Sequence, residues 1–120
     1  YEITARTKDE GLETIFSEYL KISNLNKKDV LLIYSVGGGH EKLKVSVNLI
    51  NAIKYAKIKN SEILSIVGKK DGYAYKNSTC SILVMPKNKK FLTPISESMQ
   101  AVIWHLFVSH PLLKSNPTKW

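Results

Sequence analysis

Cysteine is nearly absent from this 120-residue chain: Cys80 stands alone, so no internal disulfide can form. It sits in an apolar run, with SILVMP following it. A buried structural thiol is therefore expected rather than a nucleophile, because no acid–base partner lies near it in sequence and apolar burial raises a thiol pKa. Long hydrophobic runs are also missing. Nothing approaches the ~18 uninterrupted apolar residues of a membrane span, and no charged n-region, apolar h-region and cleavage site precede the first helical pattern. A cytoplasmic protein with no membrane partner is the expectation. Acidic residues are in the minority, 10 against 18 basic, which gives a net charge of +8 and a pI of about 9.6. The lysines are nevertheless scattered, with no dense block and no interleaved aromatics of the kind that stack bases. That excludes nucleic acid as the expected partner and leaves a solvated surface that attracts anionic substrates. Internal repeats and low-complexity segments are lacking too. The length suits one domain over residues 1–120, and a start at Tyr1 instead of Met predicts a processed or truncated N-terminus.

Glycine is sparse, and half of it is spent in one place. In DVLLIYSVGGGHE, Asp29 to Glu41, an apolar run empties into Gly37, Gly38 and Gly39. Val30, Leu31, Leu32, Ile33 and Tyr34 show no polar alternation, which is how a parallel strand covered on both faces reads. The glycines allow a sharp turn and a close approach to a ligand. The spacing predicts a helix from about Glu41, whose free N–H groups would face the loop and favour an anion, most often a phosphate. A tight turn with nothing bound is the other reading. The stretch is neither a Walker loop nor a GxGxxG fingerprint.

Before this strand, Leu12, Ile15, Phe16, Tyr19 and Leu20 mark one face of a helix with Asp9 as its N-cap. After the glycines, Val45, Leu49, Ala52, Ile53 and Ala56 repeat at helical spacing and end at a Lys-rich turn. Ile63 to Val67 reads as a second strand stopped by Gly68, Tyr73 to Ser78 as a short helix or loop, and Cys80 to Met85 as a third strand closed by Pro86. Strand, helix, strand, short helix, strand is the order of right-handed βαβ crossovers and a parallel sheet, an α/β fold. A helix from Pro94 or Ile95 to Ser109 is apolar on almost all sides, so it is expected to be buried against the sheet or another subunit. Within it Glu97 and His105 stand out. His110, at the helix end before Pro111, reads as structural, and residues 114–120 read as a surface tail. His40, at the mouth of the glycine loop, reads equally as a phosphate neighbour or as an exposed loop residue.

Four stretches, KDEGLETIFSEYL, DVLLIYSVGGGHE, EILSIVGKKDGYAYKNSTCSILVMP and TPISESMQAVIWHLFVSHPLL, together resemble the SIS (sugar isomerase) domain and, within it, the phosphoheptose isomerases. The resemblance runs over most of residues 3 to 113 in the family's order. It implies a three-layer αβα sandwich with a parallel, flavodoxin-like sheet. The family's first strands and helices precede Tyr1, so the chain resembles the C-terminal part of a longer protein. The implied activity is aldose–ketose isomerisation of a sedoheptulose 7-phosphate type substrate through an enediol, by a homotetramer. By the same resemblance, Asp9 is the substrate-contacting aspartate, Ser35 the first phosphate-binding serine and Gly38 the loop glycine. Val36, Gly37, Gly39 and His40 stand where the family usually has Thr, Ser, Asn and Ser, and the loop is more similar to a variant group with Ser-Val-Gly-Gly-Gly. That leaves backbone N–H groups, Ser35 and His40 or Lys42 to hold a phosphate. His105 aligns with the catalytic histidine and Glu97 with a glutamine that binds zinc in some members.

An enediol mechanism needs a base, an acid and an anchor for the phosphate. An imidazole such as His105 titrates near neutral pH without heavy tuning. Glu97 and His105 are separated by roughly 12 Å along a helix and about 80° around it, so long side chains can converge on a substrate or a zinc ion. Two ligands do not make a zinc site, and no cofactor is required by the chemistry. The family's N-terminal glutamate has no counterpart here. The alternative is therefore a non-catalytic SIS module that binds a phosphosugar for regulation. A Rossmann-like nucleotide domain is disfavoured, since no acidic residue follows a second strand in the ribose-binding position.

Overall fold

β-branched and leucine-rich runs set the sheet. Val30–Ser35 forms β1, Glu62–Val67 forms β2 and Cys80–Leu83 forms β3, paired in parallel in the order β1-β2-β3. The computed structural model describes Thr7 and residues 11–117. Helix α1 (Ile15–Ile22) precedes β1, α2 (Val47–Ile58) connects β1 to β2, and α3 (Tyr73–Asn77) connects β2 to β3. A 3-10 turn at Lys89–Phe91 leads into α4 (Leu92–Ser109). The βαβ order and the parallel sheet are as the hydrophobic pattern predicts.

In this register Leu31 lies opposite Ile63, Ile33 opposite Ser65, and Ser35 opposite Val67, so these side chains share one face. Ile33, Ile63 and Val67 join Leu25, Ile53, Ala56 and Ala74 in the buried core beneath α2 and α3. Ser65 is fully buried there and is satisfied by the Ser81 hydroxyl, 2.7 Å away on β3. The central strand β2 also buries Ile66 on its opposite side, where Gln100 Nε2 of α4 donates to the Ile66 carbonyl at 3.1 Å. Helices thus lie on both sides of β2.

Several expectations are corrected. β1 is covered on one side only: Val30, Leu32 and Tyr34 are 59%, 42% and 40% exposed, because α1 and α2 pack on the Leu31 and Ile33 side alone. The first helix starts at Ile15, so Leu12 lies before it and is exposed, while Ile15 and Ser17 take the buried positions. Asp9 lies outside the described residues, and the position before the helix is Thr14, whose side chain makes no capping bond. Cys80 is exposed, because it opens β3 on an edge of the sheet beside β2 alone.

The last helix is not buried all round either. Of its residues only Ser96 and Ile103 are buried. An 18-residue helix runs about 27 Å, longer than any strand of the sheet. No helix among the described residues is long and apolar enough to cross a membrane.

Candidate functional site

In a parallel sheet the crevice beyond the carboxyl ends of the strands is where ligands are bound, because loops and helix starts converge there. Here that edge is built from two glycine-containing loops locked together. Gly38 and Gly39 have φ of +72° and +78°, a conformation that side chains strain to adopt. Gly38 N–H donates to Ser35 Oγ at 3.0 Å, so the serine closes the turn as an acceptor and keeps its own hydrogen to give. The second loop, Gly68 to Gly72, docks on the first. Gly68 N–H donates to the Val36 carbonyl at 2.9 Å. Tyr73 N–H and Ala74 N–H donate to the carbonyls of Gly39 and Gly38, each at 2.8 Å. The first amides of α3 are therefore consumed in holding the glycine loop and are not offered to a ligand.

Gly72 is what permits the docking, since a Cβ there would sit 2.3 Å from the Gly37 carbonyl oxygen. Gly37 itself is different: a side chain at that position would meet nothing within 4 Å. The loop thus presents an open flank at Gly37, with the amides of Gly37 and Gly39 unpartnered among the described residues.

The helix expected from Glu41 begins six residues later, at Val47. Between them the chain makes a small hairpin, in which His40 N–H donates to the Val45 carbonyl at 2.9 Å and Val45 N–H returns to His40 at 3.1 Å. Lys44 and Ser46, at φ +51°, supply the reversal. The hairpin pushes the α2 amides away from the direct continuation of the glycine loop. It also fixes the His40 ring, whose Nδ1 accepts from Leu43 N–H at 3.2 Å, so the neutral ring carries its proton on Nε2.

His40 lines an open cleft of about 380 Å³ with Glu41, Lys42, Asp71, Tyr73, Lys76 and Asn77. Lys54 reaches Glu41 Oε1 at 2.5 Å, and that bond raises the Lys54 pKa above its ordinary value. Glu41 is thereby neutralised locally.

Ser35, Gly37, Gly38, Gly39 and His40 are therefore brought together as one loop. Glu97 and His105 lie on α4 instead. Ser96 anchors α4 beside the loop: its hydroxyl donates to the Val84 carbonyl at 3.1 Å and lies 2.6 Å from where a Gly68 Cβ would be. Glu97 follows that anchor but is exposed. His105 lies roughly 12 Å further along the helix axis and is exposed, its ring tilted against Trp104 with centroids 4.2 Å apart. His110 stands at the end of α4, where its Nδ1 accepts from Leu112 N–H at 3.2 Å. Among the described residues no three His, Cys, Asp or Glu side chains gather into a group that could hold a metal. Glu97 and His105 alone do not fit a catalytic zinc, which takes three protein ligands.

Sequence reasoning missed Gly72, Asp71 and Lys76. Their signal was available: a Lys-Lys-Asp-Gly turn directly after the second strand lies at the same carboxyl edge as the first glycine loop.

The arrangement matches known structures. Over 88% of its length the chain superimposes on a phosphoheptose isomerase from Francisella tularensis, with a TM-score of 0.67 and 19% identity. A phosphoheptose isomerase, GmhA, from Neisseria gonorrhoeae gives a TM-score of 0.61 at 20% identity, again over 88% of this chain. The fold is that of the phosphoheptose isomerases. The chain spans about half the length of these structures, 53% and 54%. No protein-family model matches the sequence, and no curated protein matches it. The likeness carries the αβα architecture, with the Ser35 to His40 loop at the carboxyl end of β1.

Proposed function

We propose that the protein is a sugar-phosphate isomerase of the phosphoheptose type, interconverting aldose and ketose forms of a sedoheptulose 7-phosphate type substrate through an enediol. The observation that carries this reading is the loop after β1. Its open flank at Gly37, its unpartnered amides and the Ser35 hydroxyl lie at the ligand-binding edge of an isomerase fold. Phosphate oxygens suit such amides, and the chain's net charge of +8 draws anions towards them.

His105 is the residue proposed to move the proton between adjacent carbons, since imidazole gives and takes a proton near neutral pH. In this reading one copy's loop is served by another copy's His105, in a homotetramer. Support comes from α4 itself: Ile95, Met99, Val102 and Leu106 are exposed at i, i+4, i+7 and i+11, a stripe that suits packing on another helix. A second reading, a phosphosugar-binding module without turnover, is favoured by one specific observation, that Glu97 and His105 are both exposed.

The test is turnover of sedoheptulose 7-phosphate by the full-length protein, with thermal stabilisation by the same ligand read in parallel. The isomerase reading expects stabilisation in both wild type and His105→Ala, with turnover lost only in the variant. Val102→Asp combined with Leu106→Asp should yield a smaller assembly that has lost turnover. Stabilisation without product in the wild type establishes the binding module instead.

A further inference from the structure

α4 is an apolar helix, yet polar side chains tie it to the sheet. Ser96 has no exposed surface, and its Oγ donates to the Val84 carbonyl at 3.1 Å. One turn later the half-buried Gln100 donates from Nε2 to the Ile66 carbonyl, also at 3.1 Å. Val84 N–H in turn donates to the Val67 carbonyl at 2.8 Å, so both ties end at the carboxyl edge shared by β2 and the continuation of β3. Aliphatic contacts bring a helix and a sheet together but tolerate sliding, whereas a pair of directional bonds allows one register.

Gly68 joins that register to the glycine loop. Its N–H donates to the Val36 carbonyl at 2.9 Å. On its other side, a Cβ would sit 2.6 Å from Ser96 Oγ and 3.0 Å from Leu92 Cδ1, both on α4. Gly68 is not in the left-handed region, so packing alone excludes a side chain there. The loop backbone at Val36, then Gly68, then Ser96 are thus in direct succession, with no gap in which one can move without the next. Ser96 is fully buried and cannot touch a ligand itself, and the Gln100 amide is spent on Ile66.

We infer that Ser96 and Gln100 are positioning residues for the loop. They set the register of α4 on the sheet, and through Gly68 they hold the Val36 carbonyl and with it the turn that Ser35 closes on Gly38. This rests on the phosphosugar reading above and adds that the loop's affinity is set in part by two side chains outside it. Backbone amides serve an anion well only while they are held in place before it arrives.

Calorimetric titration of the full-length protein with inorganic phosphate and with sedoheptulose 7-phosphate tests it, with Tm measured alongside. Gln100→Met keeps the length of the side chain and removes the donor, whereas Gln100→Lys keeps a donor of similar reach. Ser96→Ala removes the hydroxyl beside Gly68. Ile103→Val trims another buried residue of the same helix and controls for lost packing. Gln100→Met and Ser96→Ala should each weaken both probes by about fivefold or more, and Gln100→Lys should recover most of the loss. Ile103→Val should lower Tm yet stay within about twofold of the wild-type affinity. A merely structural role would lower Tm in every variant and leave the affinity of the folded protein unchanged. Affinities of Gln100→Met and Ser96→Ala within about twofold of wild type, no recovery in Gln100→Lys, or an equal loss in Ile103→Val overturn the inference while the phosphosugar reading stands. If wild type binds neither probe, both fall.

Discussion

Replacing Gly72 by Ala tests whether the two loops at the carboxyl edge are locked by backbone contact. The new Cβ would lie 2.3 Å from the Gly37 oxygen, 3.1 Å from Gly38 Cα and 3.2 Å from the Gly37 carbonyl carbon, all backbone atoms that cannot swing aside. Gly72 has φ −63° and ψ 147°, an ordinary conformation for alanine, so the whole effect is steric. Ordinary contact begins near 3.4 Å, so the loops must part by about 1 Å. A separation of that size stretches the bonds from Tyr73 N–H to Gly39 and from Ala74 N–H to Gly38 beyond hydrogen-bonding range. Each bond contributes about 1 kcal/mol net, and overpacking adds roughly 1–3 kcal/mol. The expected loss is about 3–5 kcal/mol, or roughly 10–20 °C in Tm for a domain of this size. Gly37→Ala is the internal control. Its Cβ meets nothing within 4 Å, so it should stay within about 0.5 kcal/mol of wild type. Urea unfolding followed by far-UV circular dichroism measures both, with the m-value as a check that the unfolded state has not changed. A Gly72→Ala protein as stable as wild type, or a Gly37→Ala protein that loses more than about 1 kcal/mol, refutes the docking of the loops.

Ile53→Ala should cost about 3 kcal/mol in the same assay, because Ile53 is fully buried in the core beneath β1 and β2; a loss under about 1 kcal/mol would show that α2 does not pack there. Glu41→Gln concerns pH. Lys54 has its pKa raised above 10.5 by Glu41, so the tie stabilises the fold fully below that pH and is lost as pH rises through the folded value. The Tm gap between wild type and Glu41→Gln should therefore hold from neutral pH to about 10 and close above it; a gap that widens at alkaline pH contradicts the sign.

What the sequence disclosed and what it withheld follow from the range of the interactions involved. The strands around Leu32, Ile63 and Ile82 were legible because β-branched runs bounded by glycine and proline are local signals. The loop glycines were legible for the same reason. The delayed start of α2 was not: Val45 continues the helical spacing of Leu49 and Ala52, yet its backbone pairs with His40 in a hairpin. Periodicity cannot register a bridge closed by two left-handed residues, Lys44 and Ser46, that are not glycines. Gly72 gives no local signal of its role, since only the approach of a second loop reveals that the Gly37 carbonyl occupies the place of its Cβ.

The apolar helix α4 separates two questions that one hydrophobic pattern merges. Its all-round apolarity correctly says that water is a poor neighbour for Val102 and Leu106, but those residues are 57% and 48% exposed in a single chain. Val30, Leu32 and Tyr34 on β1 pose the same question at the sheet edge. A pattern of apolar residues specifies that a face is to be covered, and carries no statement of which chain covers it. His105 lies on this same helix and is exposed. The helix that the single chain leaves largely exposed also carries the proposed proton-transfer residue, so the proposed reading expects assembly and turnover to be lost together. Disrupting that face without touching His105 is the cleanest separation of a shared active site from an idle one.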